Sequence, residues 1–108
     1  MIELSVMQKE VNAWAEKNFP NFKDYYPLLG VVEEVGELSH AHLKRIQGIR
    51  GTEAEHIEAE KDAIGDIMIY LLNYCGKMGY DLGRILEDTW GEVRERDWVK
   101  YPGDGVTK

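Results

Sequence analysis

The sequence is poor in cysteine and in positive charge, and it has no long apolar run. Cys75 is the only cysteine, which excludes an internal disulfide and agrees with a reducing cytoplasm. With 13 basic and 20 acidic residues the formal net charge is −7, so we expect no nucleic-acid or anionic-lipid partner. The apolar stretch at residues 63–72 is about half as long as a membrane-spanning helix requires. The N-terminus lacks the basic and apolar regions of a signal peptide, so we predict a cytoplasmic protein.

Strand-like alternation, internal repeats and a glycine-rich phosphate loop are also missing, whereas helical spacing recurs along the chain. Apolar residues predict helices at roughly 3–18, 27–47 and 53–77, and a fourth helix that begins near Asp81. Thr52 and Glu55 have the spacing of a capping box at the start of the third helix. We therefore predict an all-α, four-helix domain over residues 1–100, followed by a loose C-terminal tail over 101–108.

Asp66 is the only charged residue in the otherwise apolar stretch at residues 63–72. A helix that is apolar nearly all round is typical of one covered on every side, which predicts that Asp66 is buried. A lone buried carboxylate is costly unless it is protonated, paired or bound to a cation. Asp62 lies one helical turn earlier, on the same face. An acid hydrogen-bonded to a polar core residue is the simpler alternative.

The second helix carries Glu33, Glu34 and Glu37 within one arc, an arrangement that on its own is ordinary for a solvent-exposed face. However, a short glycine-bracketed turn joins the second and third helices, so they should pack antiparallel. Facing residues in such a hairpin are equidistant from the turn, which places Glu34 opposite Asp66 and Glu37 opposite Asp62. Four facing carboxylates repel one another unless a cation lies between them. An all-oxygen ligand set favours Mg²⁺, with Mn²⁺ as a possible substitute.

Four sequence features in this order carry a family resemblance: Glu33-Glu34-x-x-Glu37, Gly36-Glu37-Leu38, Asp62-Ala-Ile-Gly-Asp66 and Val93-x-x-Arg96-Asp97-Trp98. Together they resemble the MazG-like all-α nucleotide pyrophosphohydrolases over residues 14–98. The resemblance implies Mg²⁺-dependent hydrolysis of a nucleoside triphosphate to the monophosphate and pyrophosphate, and a helical core completed in a homodimer or a dimer of dimers. One departure concerns the second motif, usually Glu-x-x-Asp, because Ala63 stands three residues before Asp66.

Carried over onto this chain, the resemblance predicts roles for the acidic residues in the first two motifs. The predicted metal ligands are Glu34, Glu37, Asp62 and Asp66, and the predicted water-activating base is Glu33 or Glu34. Lys44 and Asn73 are predicted to bind substrate because they lie on the same helix faces as Glu37 and Asp66, and the resemblance adds Arg96. Each of these three also has a plain structural interpretation: a solvated lysine, a buried polar cap and a surface salt bridge, respectively. The tryptophans at 14, 90 and 98 are interpreted as core residues, although they could stack on a base.

Two other classes of function remain open from the sequence. The pairs Glu37-x-x-His40 and Glu53-x-x-His56 have the spacing of di-iron carboxylate sites in helical bundles. Their positions do not face each other across the proposed turn, and they leave Asp66 unexplained. The other class is a non-catalytic acidic helical module that binds a metal or a partner protein.

Overall fold

The computed structural model describes residues 1–107, and these residues form an all-α fold with four helices and no strand. The helices are α1 (Leu4–Asn18), α2 (Tyr25–Gln47), α3 (Glu53–Met78) and α4 (Leu82–Val93). The fold class predicted from the sequence is therefore confirmed. No helix in this part of the chain combines the length and the apolar character needed to cross a membrane.

The ends of the helices follow from local chemistry. Thr52 and Glu55 form the predicted capping box at the start of α3, with each side chain bonded to the other residue's backbone N–H. Gly48 and Gly79 close α2 and α3 in the left-handed conformation, which glycine adopts without strain. The Asp81 side chain accepts a hydrogen bond from the backbone N–H of Arg84 and so caps α4.

Helices α2 and α3 form the predicted antiparallel hairpin, and small residues bring them together. Ala41 on α2 and Ala63 on α3 are buried, and the ring of Tyr70 lies against Gly30. Near the turn, His56 donates a hydrogen bond from Nε2 to the carbonyl oxygen of Ile49 at 2.8 Å. This register brings the predicted acidic positions on α2 and α3 to the same depth in the hairpin.

A small core lies at the end of the hairpin away from the turn. Leu72, Cys75 and Leu82 are buried there, and Leu4, Met7, Val11, Met68 and Leu71 pack against them. Helix α1 packs on α3, and α4 packs on α1 and α3 but not on α2 within residues 1–107. The chain therefore has a hairpin of two long helices, with the two shorter helices gathered at one end.

Much of the apolar surface remains open in the single chain, and this corrects one prediction. Residues 63–72 are not covered on all sides, because α1 and α4 do not reach that side of α3. Ile64 is 52% exposed, and Asp66 is exposed rather than buried. The radius of gyration is 17.6 Å, whereas a compact domain of this length has about 13 Å. Val32 and Trp90, on α2 and α4, are also more than half exposed.

The C-terminal segment is more ordered than predicted. Backbone hydrogen bonds link Asp97 to Gly105, Tyr101 to Asp97, and Gly105 to Tyr101, each at 2.8 Å. The Asp104 carboxylate accepts bonds from the backbone N–H groups of Val106 and Thr107. Residues 101–107 therefore form hydrogen-bonded turns instead of a loose tail, because the Asp104 carboxylate supplies local acceptors and that of Asp97 does the same for the backbone N–H groups of Val99 and Lys100. Residue 108 of the predicted tail lies outside the described residues.

Candidate functional site

A groove of about 680 Å³ lies between the C-terminal half of α1, the N-terminal half of α2 and the C-terminal half of α3. Glu33, Glu34 and Asp66 line one end of it, nearer to the α2–α3 turn. The other end is lined by aromatic rings from α1, from the connection that follows it and from the start of α2. Among the described residues that line the groove, none is basic. The groove thus joins an acidic end to an aromatic end.

The acidic end brings together residues that the sequence predicted to face each other. Desolvation and the neighbouring charges of Asp66, Glu33 and Glu37 raise the pKa of Glu34. Each of these three charges is negative, so the carboxylates of α2 and α3 repel one another at this point. Glu34 and Asp66 line the same groove from opposite helices, as expected from the hairpin register.

The aromatic end is a chain of rings in mutual contact. The ring centroids of Trp14 and Phe19 lie 5.7 Å apart, those of Phe19 and Phe22 lie 4.7 Å apart, and those of Phe22 and Tyr26 lie 5.0 Å apart. Despite these contacts, each of the four residues is exposed, with Trp14 at 54%. Lys77 donates a hydrogen bond to the carbonyl oxygen of Phe22 and so ties this segment to α3. The aromatic end of the groove is therefore an exposed apolar surface within this chain.

The predicted site residues fall into two groups. Glu33, Glu34, Asp66 and Asn73 line the groove. Glu37 does not line it, although its charge reaches Glu34.

Three predicted residues are not brought to the groove within this chain. Asp62 is exposed on α3 outside it. Lys44 donates a hydrogen bond to the side chain of Gln47 at 2.9 Å. Arg96 lies beyond the end of α4, where its side chain packs against Gly105.

Most of the aromatic half of the groove was not predicted from the sequence. Trp14 continues the apolar spacing of α1 and was interpreted as a core residue, with stacking on a base as the alternative, whereas its side chain lines the groove. No role was predicted for Phe19, Phe22 and Tyr26. The density of aromatic residues between the first two helices was the available signal. Gly30 and Tyr70 gave no signal, because their contact depends on the packing of α2 against α3.

The fit of a divalent cation to the acidic end can be judged from the residues themselves. Within residues 1–107, no group of three or more His, Cys, Asp or Glu side chains is assembled so that it could hold a metal ion. The donor set is nonetheless all oxygen, and its carboxylates raise the pKa of Glu34 instead of pairing with bases. Glu33, Glu37 and Asp66 are exposed. These donors suit a hard cation such as Mg²⁺.

Of the two Glu-x-x-His pairs in the di-iron alternative, the pair of Glu53 and His56 has other partners. Nε2 of His56 is bonded to the α2–α3 turn, and Glu53 lies 3.8 Å from a guanidinium nitrogen of Arg45. His40 is exposed on α2 and does not line the groove. The two Glu-x-x-His pairs therefore do not face a common site.

Comparisons of the chain with protein-family models, with curated proteins and with solved structures return no match. The resemblance to the MazG-like pyrophosphohydrolases therefore rests on the residues quoted above and stays a prediction.

Proposed function

We propose that this chain is a divalent-metal-dependent nucleotide pyrophosphohydrolase, which cleaves a nucleoside triphosphate to the monophosphate and pyrophosphate. The observation that carries the proposal is the groove with an aromatic end and an acidic end. A nucleotide has the complementary division, with a flat base at one end and a polyphosphate at the other. At about 680 Å³ the groove lies within the usual size range of small-molecule sites.

The base would occupy the aromatic end. Exposed faces of Trp14, Phe19 and Tyr26 offer stacking surfaces, and stacking on an aromatic side chain contributes about 1–3 kcal/mol per base in nucleic-acid complexes. Asn73 lines the groove between the helices and offers an amide that both donates and accepts hydrogen bonds. A site that combines stacking on aromatic rings with the Asn73 amide would accept several different bases. Such tolerance agrees with a role against non-canonical nucleotides.

The triphosphate would lie at the acidic end, where carboxylates alone would repel it. Glu34 and Asp66 would hold a divalent cation there, with Glu37 and Asp62 completing the ligand set. When bound, such a cation neutralises phosphate charge and polarises the scissile anhydride. The exposure of Asp66 and Glu37 leaves room for both the ion and the phosphates.

Glu33 and Glu34 are the candidates for the base that accepts the proton of the attacking water. In the metal-free chain, desolvation and repulsion from Asp66, Glu33 and Glu37 raise the pKa of Glu34 above that of an ordinary glutamate, and a raised pKa suits a proton acceptor. Water oxygen would bond to the α-phosphorus as the α–β anhydride bond breaks. Pyrophosphate would then leave in line with the attack, and the glutamate would hold the proton.

We also propose that the working form is a homodimer or a dimer of dimers. The open apolar surfaces of α2, α3 and α4 would cost less if a second copy covered them. Lys44 and Arg96 lie away from the groove of their own chain, so any contact they make with phosphate would be to a neighbouring copy's site. Sedimentation or light scattering would measure the assembly directly.

The test is pyrophosphate release from canonical, deoxy and modified nucleoside triphosphates, with Mg²⁺, Mn²⁺ or a chelator. We expect metal-dependent release of pyrophosphate together with the monophosphate. Orthophosphate as the product would place the cleavage at the γ-phosphorus and contradict the proposal. Silence across the panel from folded, metal-loaded protein would favour the non-catalytic interaction module, which the exposed apolar surfaces also suit.

A further inference from the structure

Gly30 lies in the interior of α2, where glycine costs about 1 kcal/mol relative to alanine. It is buried, and the ring of Tyr70 on α3 lies directly against it. A Cβ at position 30 would approach Cζ of that ring to 2.6 Å, which is too close for any real contact. Gly36, one and a half turns further along α2, has nothing within 4 Å of the same added atom. Only the first of these glycines is therefore required by packing.

This contact lies in the floor of the groove. Gly30 and Tyr70 both line it, together with Glu34 one turn later on α2 and Asp66 one turn earlier on α3. The aromatic end begins on the opposite side of Gly30, at Tyr26. The ring of Tyr70 thus sits at the boundary between the two ends.

An added methyl group at position 30 would have to displace the ring. The helices themselves resist separation, because Pro27 is fully buried on one side of the contact and Ala41 packs in the hairpin on the other. The ring, by contrast, borders about 680 Å³ of open groove. The least costly response is for the ring of Tyr70 to swing into the groove and fill space that a ligand needs.

We propose that Gly30 determines what the groove accepts, because it lets the Tyr70 ring lie against α2 and so keeps the floor deep enough for the flat base of a nucleotide. The inference rests on the substrate class of the proposed function and adds a specificity-determining pair to it. Neither residue takes part in bond making or breaking. Their effect is on the binding of the base and not on the phosphates.

The test compares Gly30→Ala with Gly36→Ala, which changes helix propensity equally but meets no neighbour. Nucleoside monophosphates are titrated with tryptophan fluorescence as the signal, and ribose 5-phosphate serves as the probe that lacks a base. We expect Gly30→Ala to weaken monophosphate binding at least about tenfold and to leave ribose 5-phosphate unchanged. Gly36→Ala should match the unaltered chain with both probes. Circular dichroism confirms that each variant is folded.

A second background identifies the cause. In Tyr70→Ala no ring is present to be displaced, so adding Gly30→Ala should cause no further loss. Persistence of the loss in that background would overturn the proposal, as would equal binding by the two glycine variants or an equal loss for ribose 5-phosphate. An unaltered chain that binds no monophosphate would overturn it too.

The proposed hydrolysis can be rejected independently of the inference about Gly30 and Tyr70. Binding that follows the expected pattern without any release of pyrophosphate from triphosphates would reject the hydrolase and keep this inference. The inference alone would be rejected if Gly30→Ala and Gly36→Ala both released pyrophosphate at the unaltered rate and bound monophosphates equally well.

Discussion

The α2–α3 hairpin has two acidic regions, one at its turn end and one at the groove, and the acids of the two regions have opposite kinds of charged neighbour. Near the turn, Glu60 is bonded to His42 at 2.9 Å and to Arg45 at 3.2 Å, and Arg45 also reaches Glu53. At the groove, the charges that act on Glu34 are those of Asp66, Glu33 and Glu37, all of them negative. The partners of Glu60 lower its pKa and stabilise its charge, whereas the neighbours of Glu34 raise its pKa and destabilise its charge.

The acids at the turn end stabilise the fold, whereas the acids at the groove do not. A protein gains no stability from facing carboxylates, and the turn end shows that this chain can pair its acids with bases where the fold benefits. Under the proposed function, a bound cation would supply the positive charge that the acids beside the groove lack. Variants at the turn end should therefore affect stability, and variants at the groove should affect turnover.

The largest expected effect is on turnover. Asp66→Asn, at the groove, should lower the rate of pyrophosphate release by at least about a hundredfold, because positioning and charge neutralisation dominate phosphoryl transfer. Glu37→Gln should do the same if it joins the ligand set. Initial rates at saturating Mg²⁺ measure the effect.

The control for that prediction is Glu60→Gln at the turn end, which should keep nearly the full rate. Full activity of Asp66→Asn in a folded protein would remove the acidic end from the mechanism.

The next effect is on stability at the turn end. Thr52→Ala removes the side-chain half of the α3 capping box, so the free energy of unfolding should fall by about 1 kcal/mol. Urea denaturation measures it, with Thr107→Ala in the C-terminal turns as the comparison. Unchanged stability would mean that the cap contributes nothing to the hairpin. A large loss of turnover in Thr52→Ala would mean that the turn end is coupled to the groove.

A smaller effect concerns Glu34 and pH. Its pKa is higher in the folded chain than in the unfolded chain, so ionising it opposes folding. Glu34→Gln should therefore be more stable than the unaltered chain at pH 7 in the presence of a chelator. The gain should disappear as the pH falls below about 4, where the glutamate is protonated in both states. Urea midpoints across this range check the sign, and a loss of stability at pH 7 would contradict it.

The opposite sign is expected for Glu60. Its bonds to His42 and Arg45 lower its pKa, so its ionised form stabilises the folded chain above the unfolded-state pKa. Glu60→Gln should destabilise at pH 7, and the difference should fade as acid protonates the carboxylate. Two parallel pH series of urea midpoints, for Glu34→Gln and Glu60→Gln, should diverge at neutral pH and converge in acid. The same pH dependence of the urea midpoints in both variants would contradict the difference between the turn end and the groove.

Much of the fold and half of the site could be predicted from the sequence. Helical spacing, the Thr52 cap and the turn glycines are local signals, and they predicted the helices and the hairpin. The hairpin register then brought Glu34 opposite Asp66 without any knowledge of packing. The fourth helix ends at Val93, and Arg96, which was predicted to bind substrate, lies beyond it.

What could not be predicted depends on tertiary geometry. The burial expected for Asp66 assumed neighbours on every side of α3, but α1 and α4 gather at one end. Trp14 follows the apolar spacing of α1, and spacing alone does not separate a core ring from a groove ring. The contact of Gly30 with Tyr70 joins positions far apart in the chain, so no local pattern marks it.

The most direct test of the central claim is hydrolysis of a nucleoside triphosphate in water enriched in oxygen-18, with Mg²⁺ present. If the groove directs water to the α-phosphorus, the label will appear in the nucleoside monophosphate and not in the pyrophosphate. Label in the pyrophosphate or in orthophosphate would place the attack at another phosphorus and contradict the account.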